Sequence, residues 1–149
     1  MVLETERMDH SNIVVKGPKY IIVVIYDEDG MYLFQRIYPN KPMYLKYQAP
    51  CGKVDPGETG LQAACRELYE KTALSIPHRK IKFVANDPEF NCDIYTTKLR
   101  YEIPERTEPE NMSSWLYYPW KTVEKIALQN QLTSSLNKYI YEIFAQIVQ

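Results

Sequence analysis

The segment 19–27 constrains the fold more than any other part of the chain. It reads KYIIVVIYD, a continuous apolar run that is rich in β-branched side chains. A run of this kind is typical of a strand buried on both faces, because a strand with one wet face alternates apolar and polar residues. A polar turn at 27–30 follows, and residues 31–38 are predicted to return as the second strand of a hairpin. The chain therefore needs layers that cover both faces of a sheet.

Further strands and helices are predicted along the rest of the chain. Residues 59–73 are predicted to form a helix, because apolar residues recur there at i, i+3, i+4 and i+7. These residues are Leu61, Ala64, Cys65 and Leu68. Strands are predicted at 44–49, 79–85, 92–101 and 115–120, helices at 121–127 and 132–148, and a long loop at 103–114. Since strands and helices neither alternate strictly nor segregate, the fold class is α/β (α+β), with a mixed β-sheet between helices.

Composition places the chain among ordinary globular proteins. Its 149 residues, 45% hydrophobic and 25% charged, are enough for a single domain, which we expect to span residues 1–149. The net charge of -1 argues against nucleic-acid binding by bulk electrostatics, although a local basic patch stays open. Three widely spaced cysteines favour a reducing, cytoplasmic compartment. We expect no secretory signal in the polar segment 1–10 and no bilayer-spanning segment.

The segment 52–74 combines a loop rich in glycine and proline with a helix that carries acids. Glu67, Glu70 and Lys71 fall at i, i+3 and i+4, so they project from nearly one face. Glu58 lies at the helix entrance, where unpaired amides favour an acid, and Arg66 is expected to pair with it. Carboxylates beside free loop carbonyls are the oxygen ligands that magnesium binds. The alternative is a solvated helix face, which does not need so glycine-rich an entrance.

This segment resembles the Nudix box of the MutT/Nudix hydrolase family. The family pattern is Gly-x5-Glu-x7-Arg-Glu-U-x-Glu-Glu-x-Gly-U, where U is a bulky aliphatic residue. The positions that match it at the required spacing are Gly52, Glu58, Arg66, Glu67, Leu68, Glu70 and Leu74. The strand and hairpin before the box, and the acidic loop that leads to Trp115 after it, also resemble the family, so the resemblance extends over residues 19–120.

The resemblance implies an αβα sandwich around a mixed β-sheet. It also implies hydrolysis of a nucleoside diphosphate linked to another group, with Mg²⁺ or Mn²⁺ as the cofactor. By position, Glu67 matches an acid that binds metal or acts as the base, and Glu70 matches a metal-binding acid. The backbone carbonyl of Cys51 or Gly52 would supply a further oxygen ligand.

The remaining site residues lie outside the box. Glu110 is the first candidate for a metal-binding acid from the later loop, with Glu108 second; the alternative for Glu110 is a solvated loop acid. Arg36 is expected to bind substrate, because a family arginine at this place lies near the phosphates. Tyr47, just before the box, is expected to stack on a base.

Two positions depart from the family pattern. Lys71 replaces the second acid of the Glu-Glu pair, and a protonated ammonium cannot bind a metal and repels a cation. We expect Lys71 to pair instead with Glu67, Glu70 or a substrate phosphate, which favours binding without turnover. Ala73 stands where the family has glycine, so we expect a different helix cap or one more helical residue.

Three functions are compatible with these residues. The first is a metal-dependent hydrolase that cleaves a diphosphate bond in a nucleoside di- or triphosphate derivative, impaired by Lys71. The second is an inactive nucleotide-binding or regulatory module with the same fold, and the third is a protein-interaction scaffold. The retained Glu58, Arg66, Glu67 and Glu70 favour the first, and Lys71 favours the second. The expected partner is a nucleotide-type small molecule rather than nucleic acid or a membrane, and both a monomer and a homodimer stay open.

Overall fold

The apolar run at 19–27 forms the centre of a seven-stranded mixed sheet in the computed structural model, which describes residues 7–8, 14–15 and 17–148. The strands are β1 (Arg7–Met8), β2 (Val14–Val15), β3 (Tyr20–Tyr26), β4 (Gly30–Gln35), β5 (Tyr47–Gln48), β6 (Cys51–Lys53), β7 (Lys82–Asp87), β8 (Cys92–Lys98) and β9 (Leu116–Pro119). The helices are α1 (Gly60–Thr72), α2 (Trp120–Leu128), α3 (Ser134–Lys138) and α4 (Ile140–Ile147), with a 3₁₀ turn at His78–Lys80.

The pairing of β3 positions the loop that follows β6. One edge of β3 pairs with β8 in parallel along its whole length, and β7 adds to β8 in the antiparallel direction. The other edge is shared, because β6 pairs with the start of β3 and β4 pairs with its end. β5 and β9 both pair with β4, while β1 and β2 form a separate two-stranded ladder. The glycine-bearing β6 thus lies in the sheet beside α1.

Side chains of β3 are buried on both faces of the sheet, as the sequence predicts. Ile21, Val23 and Ile25 pack with the apolar side of α1. Ile22 and Val24 pack on the opposite face with buried residues of α2, α3 and α4. The αβα sandwich with a mixed sheet is therefore confirmed. None of the helices in the described part of the chain is long and apolar enough to span a bilayer.

Most predicted elements are present with altered ends. The strand predicted at 44–49 shortens to Tyr47–Gln48, and the loop predicted at 103–114 contains no helix or strand. The expectation for the segment 1–10 falls, except at Arg7–Met8, outside the described residues. The predicted helix at 132–148 is wrong as one element, because the chain leaves the helix at Tyr139 and forms α3 and α4 instead. Leu136 of α3 and Ile140 and Ile143 of α4 all enter the core, and polar residues of α3 also bind β7.

The expectation for Ala73 is also wrong. The residue neither extends α1 nor forms a different kind of cap, but takes the left-handed conformation itself, with φ 63° and ψ 15°. Its amide donates to the carbonyl of Tyr69 at 2.7 Å, as a glycine cap would. Alanine therefore occupies a conformation that normally favours glycine, next to a residue, Thr72, whose carbonyl accepts a hydrogen bond from the amide of Glu105 at 2.9 Å.

Candidate functional site

The entrance of α1 is fixed by its own side chains. Thr59 accepts a hydrogen bond from the amide of Gln62 at 3.1 Å, and Gln62 accepts one from the amide of Thr59 at 2.8 Å. This reciprocal arrangement is a capping box, which satisfies two amides that the helix itself leaves unpaired. Glu58 precedes the cap, and its carboxylate accepts a hydrogen bond from the amide of Asp55 at 2.9 Å. The loop and the first turn of α1 thereby form one rigid unit.

Arg66 binds one acid from this loop and two acids from farther along α1. Its Nε and Nη2 donate to the two carboxylate oxygens of Glu58 at 2.7 and 3.0 Å. Its Nη1 donates to Glu67 at 3.1 Å and to Glu70 at 3.3 Å. A further bond from Nη2 reaches the carbonyl of Lys53 at 2.9 Å, so the same side chain also holds β6. Arg66 therefore fixes the positions of three carboxylates relative to the loop.

Glu67 is buried against the backbone of β6. Only 8% of this residue is exposed, and a β-carbon at position 52 would overlap the Glu67 carboxylate, so Gly52 is needed for the close approach. Burial raises the pKa of Glu67 above its usual value, although Arg66 and Lys71 oppose the shift. A carboxylate in this state is a better proton acceptor than an exposed one.

Lys71 lies on the same helix and is bound by an acid from the later loop. Its Nζ donates to Glu108 Oε2 at 2.8 Å, and both side chains are partly buried. Burial acts to lower the pKa of Lys71, but Glu108 and Glu67 outweigh it, so the pKa is raised and the ammonium stays charged. The indole of Trp115 donates to the carbonyls of Lys71 at 3.3 Å and Glu105 at 2.9 Å, which holds this loop against the end of α1.

Strands β4 and β6 both pair with the same edge of β3. A cleft of about 350 Å³ opens where these two strands separate. Three cations line it, namely Arg36, Lys41 and Lys71, together with the carboxylate of Glu108. The backbone of β6 enters the wall through Gly52. We call the three carboxylates bound by Arg66, those of Glu58, Glu67 and Glu70, the acidic cluster. The cleft lies beside this cluster at Gly52 and adds positive charge to it, an arrangement suited to a phosphate-bearing ligand.

The structure brings some of the sequence-predicted residues together and not others. Arg36, Gly52 and Lys71 line the cleft, while Glu70 is exposed on α1 beside Arg66. Glu110 is exposed and does not line the cleft, whereas Glu108 does. The role of Glu110 as a metal ligand stays a prediction.

Tyr47 lies away from the cleft. Its ring packs edge-on against Tyr118 with 5.7 Å between ring centroids, on the side of the sheet covered by α2 and α4. The sequence reasoning missed Lys41 and Gln48, which do line the cleft. Neither residue belongs to a motif or a periodic pattern that would identify it from the sequence. Lys41 lies in a loop, and Gln48 is next to Tyr47 in β5.

The oxygen atoms near Gly52 suit a magnesium ion that takes its other ligands from water and from phosphates. Glu67 and Glu70 converge on one nitrogen of Arg66, and the backbone of Gly52 lies directly against Glu67. Within residues 7–8, 14–15 and 17–148, no group of three His, Cys, Asp or Glu side chains is arranged to hold a metal ion unaided. Magnesium commonly binds proteins through one or two carboxylates and takes its other ligands from phosphates and water. We therefore expect weak metal binding by the protein alone.

Comparisons with known proteins agree with this geometry. The family model described as NUDIX domain matches residues 16–142. The RNA pyrophosphohydrolase of Vibrio vulnificus is 32% identical over 84 residues, which are 56% of this chain and 41% of that protein. The RNA pyrophosphohydrolase of Cereibacter sphaeroides is 39% identical over 69 residues, which are 46% of this chain and 40% of that protein. The chain therefore spans less than half the length of these relatives.

Solved structures show the same fold. The NUDIX domain of Shewanella oneidensis NrtR complexed with ADP ribose matches 93% of this chain and 93% of that chain, with 21% identity and a TM-score of 0.67. A C. elegans Ap4A hydrolase in a binary complex matches 88% of this chain and 98% of that chain, with 19% identity and a TM-score of 0.62. At these identities the likeness establishes the fold alone.

Proposed function

The chain belongs to the NUDIX domain family, and from this we propose that it is a pyrophosphohydrolase that uses Mg²⁺ or Mn²⁺ to cleave a diphosphate bond in a nucleoside di- or triphosphate derivative. The observation that carries the proposal is the convergence of Glu67 and Glu70 on one atom of Arg66, beside a cleft lined by cations. The name of the curated relatives supports a pyrophosphate bond as the target and makes RNA a further candidate substrate.

The proposed roles follow from position and charge. The carbonyl of Gly52 and the carboxylates of Glu67 and Glu70 would hold the metal, which offsets phosphate charge and lowers the pKa of an attacking water. As the alternative to binding the metal, Glu67 is suited to accept a proton from that water, because burial raises its pKa. Arg36 and Lys41 lie where they would bind the phosphates.

Two acids of the loop 103–114, Glu108 and Glu110, are candidates for the remaining metal ligand. Glu108 reaches the cleft, but its carboxylate is bound to Lys71 at 2.8 Å. For Glu108 to serve as a ligand, Lys71 must move to another anion, and a substrate phosphate in the cleft would be such an anion. Glu110 is the alternative ligand and would have to approach from its exposed position.

The Lys71–Glu108 pair also favours a second candidate function, a nucleotide-binding module without turnover. The ammonium stands on the face of α1 that carries Glu67 and Glu70, and it repels a cation placed there. At the same time it adds a third positive charge to the cleft, which attracts phosphates without any metal. Binding would then persist while hydrolysis is lost.

The discriminating experiment measures phosphate and pyrophosphate release from nucleoside triphosphates, nucleoside diphosphate conjugates and 5′-triphosphorylated RNA, with Mg²⁺ or Mn²⁺. The chain is compared with Lys71→Glu, with Glu67→Gln, and with Lys121→Glu as a control that makes the same charge change on the exposed face of α2. We expect turnover by the unaltered chain that EDTA abolishes and that Glu67→Gln lowers by about 10²–10⁴-fold. The Lys121→Glu variant should match the unaltered chain.

The other outcomes separate the two candidates. If Lys71→Glu hydrolyses a substrate and the unaltered chain does not, the second candidate is correct. The unaltered chain should then still show a nucleotide-induced rise in melting temperature in EDTA, and this rise should shrink in Lys71→Glu. If neither protein hydrolyses any substrate and no nucleotide changes the melting temperature, both candidates are wrong.

A further inference from the structure

A second concave surface lies at the carboxyl-terminal ends of β3 and β8, apart from the cleft. It encloses about 530 Å³, and we call it the basic bowl after the five cations that line it. These are Arg79, Lys80, Lys82, Lys98 and Arg100. The remaining lining residues are Tyr26, Thr96, Thr97 and Glu102. None of these residues lines the cleft, so the two sites have separate walls.

The cations come from the 3₁₀ turn, from β7 and β8 and, for Arg100, from the segment that follows β8. Arg79 and Lys80 belong to the 3₁₀ turn, and Lys82 opens β7 opposite Thr96 of β8. Lys98 ends β8, where it pairs in register with Tyr26 at the end of β3. The hydroxyl of Thr97 donates to the carbonyl of Lys80 at 2.8 Å and so fastens the turn to the sheet. The backbone segments that carry these cations therefore have fixed positions around one depression.

Most of this positive charge has no ion-pair partner among the described residues, although the carboxylates of Glu102 and Asp27 act on Lys80 and Lys98 over longer distances. All five cations are exposed, and four of them, Arg79, Lys80, Lys82 and Arg100, form no ion pair with any residue that the structure describes. Lys98 is paired with Glu28 at 3.4 Å, but both side chains are exposed, so the pair is weak. The one carboxylate in the lining, Glu102, accepts hydrogen bonds from the amides of Arg100 at 2.8 Å and Tyr101 at 3.1 Å.

The clustering does not follow from the overall charge, because the chain carries 18 basic and 19 acidic residues. Five like charges around one depression repel each other, and an anion placed among them relieves that repulsion. A protein with a net charge near zero therefore carries a positively charged region on its surface. The net charge of -1 describes the whole molecule and not this patch.

The shape and the nearby rings favour one class of anion. A concave surface suits a flexible nucleic-acid strand better than it suits the flat surface of a bilayer. Tyr101, which follows Arg100, is 91% exposed, and Tyr26 lies in the lining. Cations that follow a phosphate backbone, with aromatic rings for the bases, are the usual elements of a single-strand binding surface. We propose that the basic bowl binds the phosphate backbone of a single-stranded nucleic acid. This site is independent of the proposed hydrolytic function.

The test uses the full chain and oligonucleotides of about 10 residues with 5′-hydroxyl ends, one of uridylate and one of thymidylate. Without terminal phosphates, these probes offer the cleft no diphosphate to bind. Fluorescence anisotropy over a range of salt concentrations should give a plot of log affinity against log salt with a slope of about -3, since each phosphate neutralised on a single strand contributes about -0.7. Binding of either probe supports the proposal, and comparing the two identifies the preferred sugar.

Matched double variants locate the binding surface. Arg79→Gln with Lys82→Gln should make the slope shallower by about 1.4 and weaken binding, because two phosphate contacts are lost. Lys121→Gln with Lys125→Gln removes two charges from exposed positions on α2 and should leave both quantities unchanged. Circular dichroism confirms that both variants fold.

Three results would overturn the proposal. One is failure of both probes to bind at low salt, and another is an equal loss of binding in the two double variants, which would reflect overall charge alone. The third is binding to vesicles that contain anionic phospholipid, with no binding to either oligonucleotide, which would assign the bowl to a membrane surface instead.

Discussion

Arg66 is the residue on which the geometry of the acidic cluster depends. It is hydrogen-bonded to Glu58, Glu67 and Glu70, and Asp55 lies at 3.5 Å. Without Arg66, the carboxylates would repel one another, and Glu67 would be a buried charge without a partner. The arginine therefore makes it possible for acids to be concentrated on α1 and in the loop before it, before any metal binds. At this scale, the site is a preorganised arrangement of charges around one guanidinium.

Replacing this arginine should destabilise the protein more than losing an ordinary surface pair. We expect Arg66→Met to lower the free energy of unfolding by about 2 kcal/mol, because hydrogen bonds to charged groups contribute about 1.5–3 kcal/mol. Lys98→Met, which breaks the exposed pair with Glu28, should change it by less than about 0.5 kcal/mol. Urea denaturation of the two variants measures the difference. Equal effects would show that Arg66 does not hold the cluster.

Helix α1 is the element that presents the site, and its two ends are built differently. At its start, the capping box of Thr59 and Gln62 uses residues that favour this geometry. At its end, Ala73 takes a left-handed conformation that costs an L-residue about 1–2 kcal/mol. The strain is local to the backbone, since the amide of Ala73 still bonds to Tyr69. The helix is thus held to its length by its surroundings at the C-terminal end.

Glycine at this end should relieve the strain. We expect Ala73→Gly to raise the free energy of unfolding by up to about 1 kcal/mol, because the relief of about 1–2 kcal/mol exceeds the entropic cost of about 0.4–1 kcal/mol in the unfolded chain. Ala64→Gly is the comparison inside the same helix, where helical geometry and the loss of a buried methyl group each make glycine unfavourable by about 1 kcal/mol. Thermal and urea unfolding should therefore shift in opposite directions for the two variants. A loss of stability in Ala73→Gly would contradict the left-handed cap.

On the scale of the whole molecule, a buried polar contact joins the sheet to the helical layer opposite α1. Asp87 at the end of β7 is fully buried and accepts hydrogen bonds from Ser135 at 2.8 Å and Lys138 at 2.9 Å, both in α3. Burial acts to raise the pKa of Asp87, but these two partners and the amide of Glu89 lower it below its ordinary value of 3.8. The charge of Asp87 therefore links the packing of α3 to pH.

The sign of the pH effect follows from the lowered pKa. An acid whose pKa is lower in the folded state stabilises that state above its unfolded pKa, and this contribution disappears as the pH falls through the folded value. We expect the unaltered chain to lose stability in acid, below its unfolded pKa of about 4, and Asp87→Asn to lose less over the same range. Urea unfolding between about pH 6 and pH 2 measures both. Glu124→Gln, on the exposed face of α2, should keep the acid loss of the unaltered chain.

The sequence by itself determined the features that depend on neighbours along the chain. The doubly buried strand, the extent of α1 and the spacing of Glu58, Arg66, Glu67 and Glu70 could all be predicted, because helical and strand periodicity are local properties. It also predicted the layered fold, since a strand apolar on both faces requires a cover on each side. The break at Tyr139 was not predictable, because the apolar periodicity continues through it from α3 into α4.

Only the tertiary structure decided which distant charges meet. Lys71 and Glu108 are 37 positions apart, and no periodicity relates them or brings Arg36 and Lys41 to the same cleft. The same is true of the basic bowl, whose cations come from a turn, from two strands and from the segment after β8, which become adjacent through sheet pairing. Periodicity fixes which face of an element is apolar, whereas the pairing of strands and the packing of helices decide which polar groups on separate elements come within a few ångströms of each other.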